Sequence, residues 1–136
     1  MSDSIIFLDS NVLLYAFGND AQRKNAAKDL LRMKPIISTQ VMNEVISILY
    51  RKFGFSDDEI KNIYDFMMSN MTIRVIDPAS INRAIRLKEK YKYSYWDSLI
   101  IASALANECS ILYSEDLQDG QNIENKLFII NPFKNL

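Results

Sequence analysis

Four acidic residues sit where their neighbours do not call for acids. Asp9 ends the apolar run Ile5-Ile6-Phe7-Leu8, and Glu44 shares a helical face with Val41, Val45 and Ile48. Asp97 falls on a face with Ile100, Ile101, Ala104 and Leu105, in a helix otherwise free of charge from Ser98 to Asn107. Asp116 follows Ile111-Leu112-Tyr113 in the polar turn Ser114-Glu115-Asp116-Leu117-Gln118-Asp119-Gly120. A carboxylate on an apolar face is costly unless it is paired, metal-bound or at the margin of the face. Four of them on one edge of a sheet would repel and raise one another's pKa unless a cation joined them. Oxygen donors without histidine or thiolate suit Mg²⁺ or Mn²⁺, which keep open water positions and assist phosphodiester hydrolysis. Each acid also has an ordinary structural reading. Asp9 suits a helix cap, Glu44 the margin of its stripe, Asp97 the third position of a capping box opened by Ser94, and Asp116 a turn.

Other chemistries are removed by composition. The chain of 136 residues has no histidine, so Ser-His-Asp triads, Cys-His nucleophiles, histidine-bound zinc and paired-histidine RNA cleavage are all excluded. Cys109 is the single cysteine, which rules out an internal disulfide and fits a reducing compartment. A net charge of −1 disfavours blanket phosphate binding but leaves room for a local basic surface. No uncharged run exceeds ten residues, far short of the roughly 20 that cross a membrane. Met1-Ser2-Asp3-Ser4 has no signal-peptide character, so a soluble cytoplasmic protein is expected, with no membrane partner.

The elements that must position the acids follow from the punctuation. Short apolar runs read as strands over 5–8, 35–37, 72–76, 111–113 and 126–130. Helices are expected from Ser10 or Asn11 to about Phe17, over 21–33, from Ser38 or Thr39 to about Phe53, over 56–71, from Pro78 to about Lys90, and from Ser94 to about Asn107. Helix 56–71 opens with Ser56 and three acids and carries the stripe Ile60, Ile63, Tyr64, Met67, Met68 and Met71. Short apolar strands alternating with helices predict an α/β fold, a short parallel sheet flanked by helices, with residues 1–136 as one domain. In such a sheet ligands bind beyond the carboxyl ends of the strands, where Asp9 falls.

Five blocks in order resemble the PIN-domain family, in particular its short VapC-type toxins. They are Phe7-Leu8-Asp9-Ser10-Asn11-Val12-Leu13, Ser38-Thr39-Gln40-Val41-Met42-Asn43-Glu44-Val45, Tyr95-Trp96-Asp97-Ser98-Leu99-Ile100-Ile101-Ala102, Leu112 to Gln121, and Asn131-Pro132-Phe133. The resemblance implies a Rossmann-like PIN fold and metal-dependent cleavage of RNA. It places the metal ligands and catalytic acids at Asp9, Glu44, Asp97 and Asp116, with Asn11 and Ser114 holding them and Asp119 as an outer acid. It also implies a cognate antitoxin and a homodimer. Ser10 and Ser114 stand where many members have threonine, which keeps the hydroxyl.

The expected activity is that of an endoribonuclease: water, activated by one or two Mg²⁺ or Mn²⁺ ions, attacks in line and leaves 5′-phosphate and 3′-hydroxyl ends. For RNA contact the densest basic cluster is Arg83, Arg86, Lys88, Lys90 and Lys92, with Arg51-Lys52 and Arg23-Lys24 smaller; a solvated helix face is the plain alternative. Tyr93, Tyr95 and Trp96 are aromatic enough to stack a base, or to pack in the core. The Met-rich stripe of helix 56–71 suits either the core or a partner helix. Competing functions are an RNA-binding or RNA-processing PIN protein outside a toxin–antitoxin pair, and a metal-dependent phosphatase. The phosphatase of haloacid dehalogenase type needs an acid two residues after Asp9, where this chain has Asn11.

Overall fold

Apolar runs closed by polar capping groups pass directly from strand to helix in this chain. The computed structural model describes residues 4–136. Strand β1 (Ile6–Leu8) ends at Asp9, whose carboxylate accepts from the Ser10 N–H at 2.8 Å and so caps α1 (Ser10–Leu14). Asp9, rather than Ser10 or Asn11, is therefore the cap. Helix α1 tightens into a 3-10 turn over Tyr15–Phe17, and α2 (Ala21–Leu31) starts at the Asp20 cap. Strand β2 (Ile36–Ser38) runs into α3 (Thr39–Arg51), with the Ser38 hydroxyl accepting from the Val41 N–H at 3.3 Å.

Gly54, at a left-handed φ of 66°, turns the chain out of α3. Helix α4 (Asp57–Asn70) then opens with a complete capping box between Ser56 and Glu59. Strand β3 (Thr72–Arg74), α5 (Pro78–Tyr91), α6 (Tyr95–Ala106), β4 (Ile111–Tyr113), β5 (Asn122–Ile123) and β6 (Leu127–Ile130) complete the chain.

The sheet order is β3-β2-β1-β4-β6-β5, parallel except for β5. Phe7 in β1 lies opposite Ile36 on one side and Leu112 on the other. The chain moves outward from β1 to β3 and then returns to lay β4 on the opposite side of β1. That reversal opens a crevice between the carboxyl ends of β1 and β4, the place where open α/β sheets bind ligands. The central strands are buried on both faces, and so is nearly all of α6, from Ser98 to Leu105. Burial of that stretch on every side against the sheet explains why α6 shows so little polar patterning beyond its first turn.

Two further features depart from the sequence-based expectation. Strand β5 was not anticipated; it pairs antiparallel with β6 through a tight turn in which Glu124 and Asn125 both take positive φ, 55° and 57°. Glu-Asn lacks the glycine that usually marks such a turn. The Tyr91 hydroxyl compensates, donating to Glu124 Oε2 at 2.7 Å and accepting from the Glu124 N–H at 3.1 Å. The stripe of α4 is also divided: Ile60, Met67 and Met71 enter the core, whereas Tyr64 and Met68 remain exposed.

Candidate active site

Asp9 leaves β1 at the crevice with only 5% of its surface exposed. Its Oδ2 accepts from the Ser114 hydroxyl at 2.9 Å, which arrives from the end of the neighbouring β4. The Ser114 oxygen in turn accepts from the N–H groups of Asp116 and Leu117, both at 3.3 Å, and so holds the turn that carries Asp116. Asn11 sits between the two acids. Its Nδ2 donates to Asp116 Oδ2 at 3.1 Å and lies 3.4 Å from Asp9 Oδ2, while its Oδ1 accepts from the Glu115 N–H at 3.0 Å. Adjacent parallel strands thus deliver Asp9 and Asp116 to one place, and short polar side chains hold them there.

The other two acids come from helices. Glu44 lies in the second turn of α3, half-buried beside the fully buried Val41 and Val45. Asp97 is in the first turn of α6, where the Ser94 hydroxyl accepts from its N–H at 3.1 Å. Among the described residues its carboxylate makes no return bond to the Ser94 N–H, unlike Glu59 in α4. Only half of a capping box forms, so the Asp97 carboxylate is left for other work.

Electrostatics tie the four together. Burial pushes the Asp9 carboxyl up to about 6; the Ser114 hydroxyl and Ser10 N–H oppose this, and Glu44 and Asp97 add to it. Glu44 is raised by burial and by Asp97, with the Ser10 and Gln40 side chains acting in the other direction. Asp97 is raised by burial, lowered by the Ser94 hydroxyl and raised again by Asp116. Among the described residues, no three of these side chains stand close enough to grip one ion directly. The donor set still fits a hard divalent cation. It is made of oxygens alone, its members repel one another, and an ion that keeps several waters can span wider carboxylates.

Asp119 does not join them. It accepts from the Asn131 N–H at 2.8 Å and pairs with Lys134 at 3.0 Å, contacts that hold its carboxyl below the usual range. With both oxygens engaged it clamps the C-terminal segment instead of acting as an outer acid. Glu115 is similarly occupied, accepting from the Tyr15 hydroxyl at 2.9 Å with Arg23 at 3.7 Å. The basic cluster of α5 is dispersed. Lys90 pairs with Glu124 at 2.6 Å and lines a cleft with Arg83 at the β5–β6 turn; Lys88 and Lys92 line another with Tyr93, and Arg86 is exposed on its own. None of the four acids lines either cleft. Tyr93 is also committed, bonding to Gln121 and accepting from the Gln118 N–H.

Gln40 lies outside the set of site residues expected from sequence. Buried in the first turn of α3, it donates through Nε2 to the Trp96 carbonyl at 3.1 Å and so joins the helices that carry Glu44 and Asp97. A polar residue beside a buried apolar stripe was the available signal.

A family model described as the PIN domain matches residues 6–118. The chain belongs to the PIN-domain family. Several solved structures share this PIN fold. A toxin–antitoxin complex from Klebsiella pneumoniae superposes with a TM-score of 0.72 at 20% identity, over 96% of this chain and 98% of that one. A sarcin–ricin-loop-cleaving VapC toxin of Mycobacterium tuberculosis gives 0.67 at 19% identity, over 82% and 89%. A VapBC complex of Rickettsia felis bound to a DNA fragment from its promoter gives 0.68 at 19%, over 92% and 96%. No curated protein matches the chain by sequence. The matched part of the PIN domain ends before β5 and β6, although β6 supplies the outer sheet partner of β4.

Proposed function

We propose that this PIN domain is a divalent-metal-dependent endoribonuclease and the toxin of a type II toxin–antitoxin pair. The observation that carries the nuclease reading is the Asp9–Asn11–Asp116 bridge at the β1–β4 crevice, with Glu44 on α3 and Asp97 on α6 near enough for their charges to raise the Asp9 carboxyl. Asp9, Asp97 and Asp116 are the ligands we assign to Mg²⁺ or Mn²⁺, with Glu44 as a further ligand or as the group that orients the attacking water. A divalent ion bound there would offset charge building on the phosphate and lower the pKa of the attacking water. The chain's own part is positional: Ser114 and the Ser10 N–H fix Asp9, Asn11 fixes Asp116, and the Gln40 contact sets α3 against α6.

Support for the toxin assignment comes from the similar structures, which include toxin–antitoxin complexes. An antitoxin partner and a homodimer belong to the same proposal, as does a cytoplasmic location. No described helix is long and apolar enough to cross a membrane.

The test is incubation of a mixed RNA pool with wild type and Asp116→Asn, with Mn²⁺ or Mg²⁺ and with chelator. Cleavage yielding 5′-phosphate ends, lost in both the variant and the chelator, is the expected result. Cyclic phosphate products, or cleavage that persists in chelator, would overturn the mechanism. Release of phosphate from a phosphomonoester in place of RNA cutting would favour a phosphatase.

A further inference from the structure

Trp96 is 63% exposed, directly before Asp97 in sequence, and is therefore not the core residue its size would suggest. It is nevertheless held. Its carbonyl accepts from Gln40, and its ring packs edge-on against Tyr95, centroids 5.2 Å apart. Trp96 lines a cleft of about 510 Å³ with Ile76 and Leu99, whose polar side is Thr39, Gln40, Asn43 and Glu44. That volume is within the range of small-molecule sites.

A second cleft, of about 380 Å³, begins at the same Asn43 and Glu44 and runs along α3 past Ser10 and Ser47 to Arg51. Asn43, Ser47 and Arg51 are spaced four apart, so they line one edge of the helix. Arg51 makes no ion pair among the described residues, in contrast to Arg23, Arg32 and Lys90. The two clefts form one groove, apolar and aromatic at one end, cationic at the other, with a member of the acid cluster at the junction.

We infer that this groove is the track of a single-stranded RNA, with an unpaired base stacked on Trp96 and a backbone phosphate beyond the acids held by Arg51. The inference rests on the nuclease reading and adds a base-binding subsite to it. The chemistry of the ends decides the occupant. A π-face suits any nucleobase, a guanidinium suits a phosphate, and a flexible strand is the ligand that presents both on either side of a scissile bond. The basic face of α5, by contrast, lies against clefts that contain none of the acids.

Trp96 is the chain's single tryptophan, so its emission reports on this subsite alone. The probe is a 2′-O-methylated single-stranded oligonucleotide of about eight nucleotides, end-labelled, with Ca²⁺ present to neutralise the carboxylates. Binding is followed by anisotropy of the label and stacking by tryptophan emission. The expected result is quenching that tracks anisotropy. Trp96→Ala should weaken binding about 5- to 150-fold and Trp96→Phe much less, while Arg51→Ala should lower the salt slope by about 0.7.

Binding without any change in emission, or with an unaltered Trp96→Ala, overturns the inference. Emission that changes on dilution of the protein alone and not with oligonucleotide also overturns it, since the indole then meets a second protein surface. The nuclease reading fails separately. If the RNA pool is cut with Mn²⁺ while the indole does not respond, only the subsite is lost; if nothing is bound or cut, both are.

Discussion

The buried position of Asp9 has a measurable consequence in the metal-free protein. Its carboxyl is raised from an ordinary 3.8 to about 6, which corresponds to about 3 kcal/mol. Because the folded value is the higher one, the native state holds the proton more tightly between the two. The Asp9 contribution to stability is therefore greatest below pH 3.8, falls as pH rises through about 6, and is lost above it. Asp9→Asn removes that titration. It also disturbs the bonds from Ser10 and Ser114, costing about 1 kcal/mol each if unreplaced, and this loss does not vary with pH.

The quantity to measure is accordingly the difference between variant and wild type, by urea unfolding in chelator from pH 4.5 to 7.5. The variant should gain on the wild type by about 2 kcal/mol across that interval, most of it below pH 6.5. The full 3 kcal/mol is equivalent to about 10 °C in Tm for a chain of this length. Carboxylates away from the crevice titrate alike in both proteins and cancel in the difference, whereas Glu44 and Asp97, which share the crevice with Asp9, are relieved of its charge in the variant. At neutral pH, Mn²⁺ at about a hundred times its Kd should stabilise the wild type by about 2.7 kcal/mol and the variant far less. A difference that does not change with pH would refute the claim that Asp9 is desolvated and crowded by the other acids. A difference of opposite slope would mean that Asp9 is paired with a cationic group.

The network around Asp9 supports further tests. Ser114→Ala leaves the Asp9 Oδ2 and two backbone N–H groups short of a partner, and should cost about 1–3 kcal/mol of unfolding free energy by urea titration. Asn11→Ala removes the bridge between Asp9 and Asp116. A loss of about 10- to 100-fold in Mn²⁺ affinity, read by calorimetry, is expected while the fold survives. Tyr91→Phe takes the hydroxyl from Glu124 in the β5–β6 turn and should lower stability by about 1 kcal/mol without altering RNA cleavage. Reversal of Arg86 and Lys90 to glutamate together should leave the salt slope of RNA binding unchanged; a slope reduced by more than about 1 would return the substrate to α5.

Much of the architecture was carried by local chemistry. Apolar runs of strand length, Ser38, Ser56 and Ser94 as caps, the acids that open α4 and the left-handed Gly54 each act within a few residues. Such short-range features set where strands and helices begin and end, and their alternation implies the parallel sheet. The absence of histidine removed whole classes of chemistry before any geometry was known. Asp9, Glu44 and Asp97 stand out because each carboxylate interrupts an apolar face or a strand end, whereas Asp116, in a polar turn, is set apart in sequence only by the family resemblance.

What required the tertiary structure was everything that depends on chain segments meeting. Sheet order decides that β4 returns beside β1, which brings Ser114 within 2.9 Å of Asp9 across 105 positions of sequence. Asp116, Asp119 and Glu115 occupy the same turn and are chemically alike. Only their partners separate them, with Glu115 facing Tyr15 and Arg23, Asp119 bound to Asn131 and Lys134, and Asp116 left at the crevice. Trp96 and the basic residues of α5 follow the same logic, because side-chain type fixes what a residue can do and not what it will face. The β5–β6 turn shows the limit from the other side. Its positive φ values at Glu124 and Asn125 go against local preference, and a distant tyrosine, Tyr91, supplies the bonds that hold them.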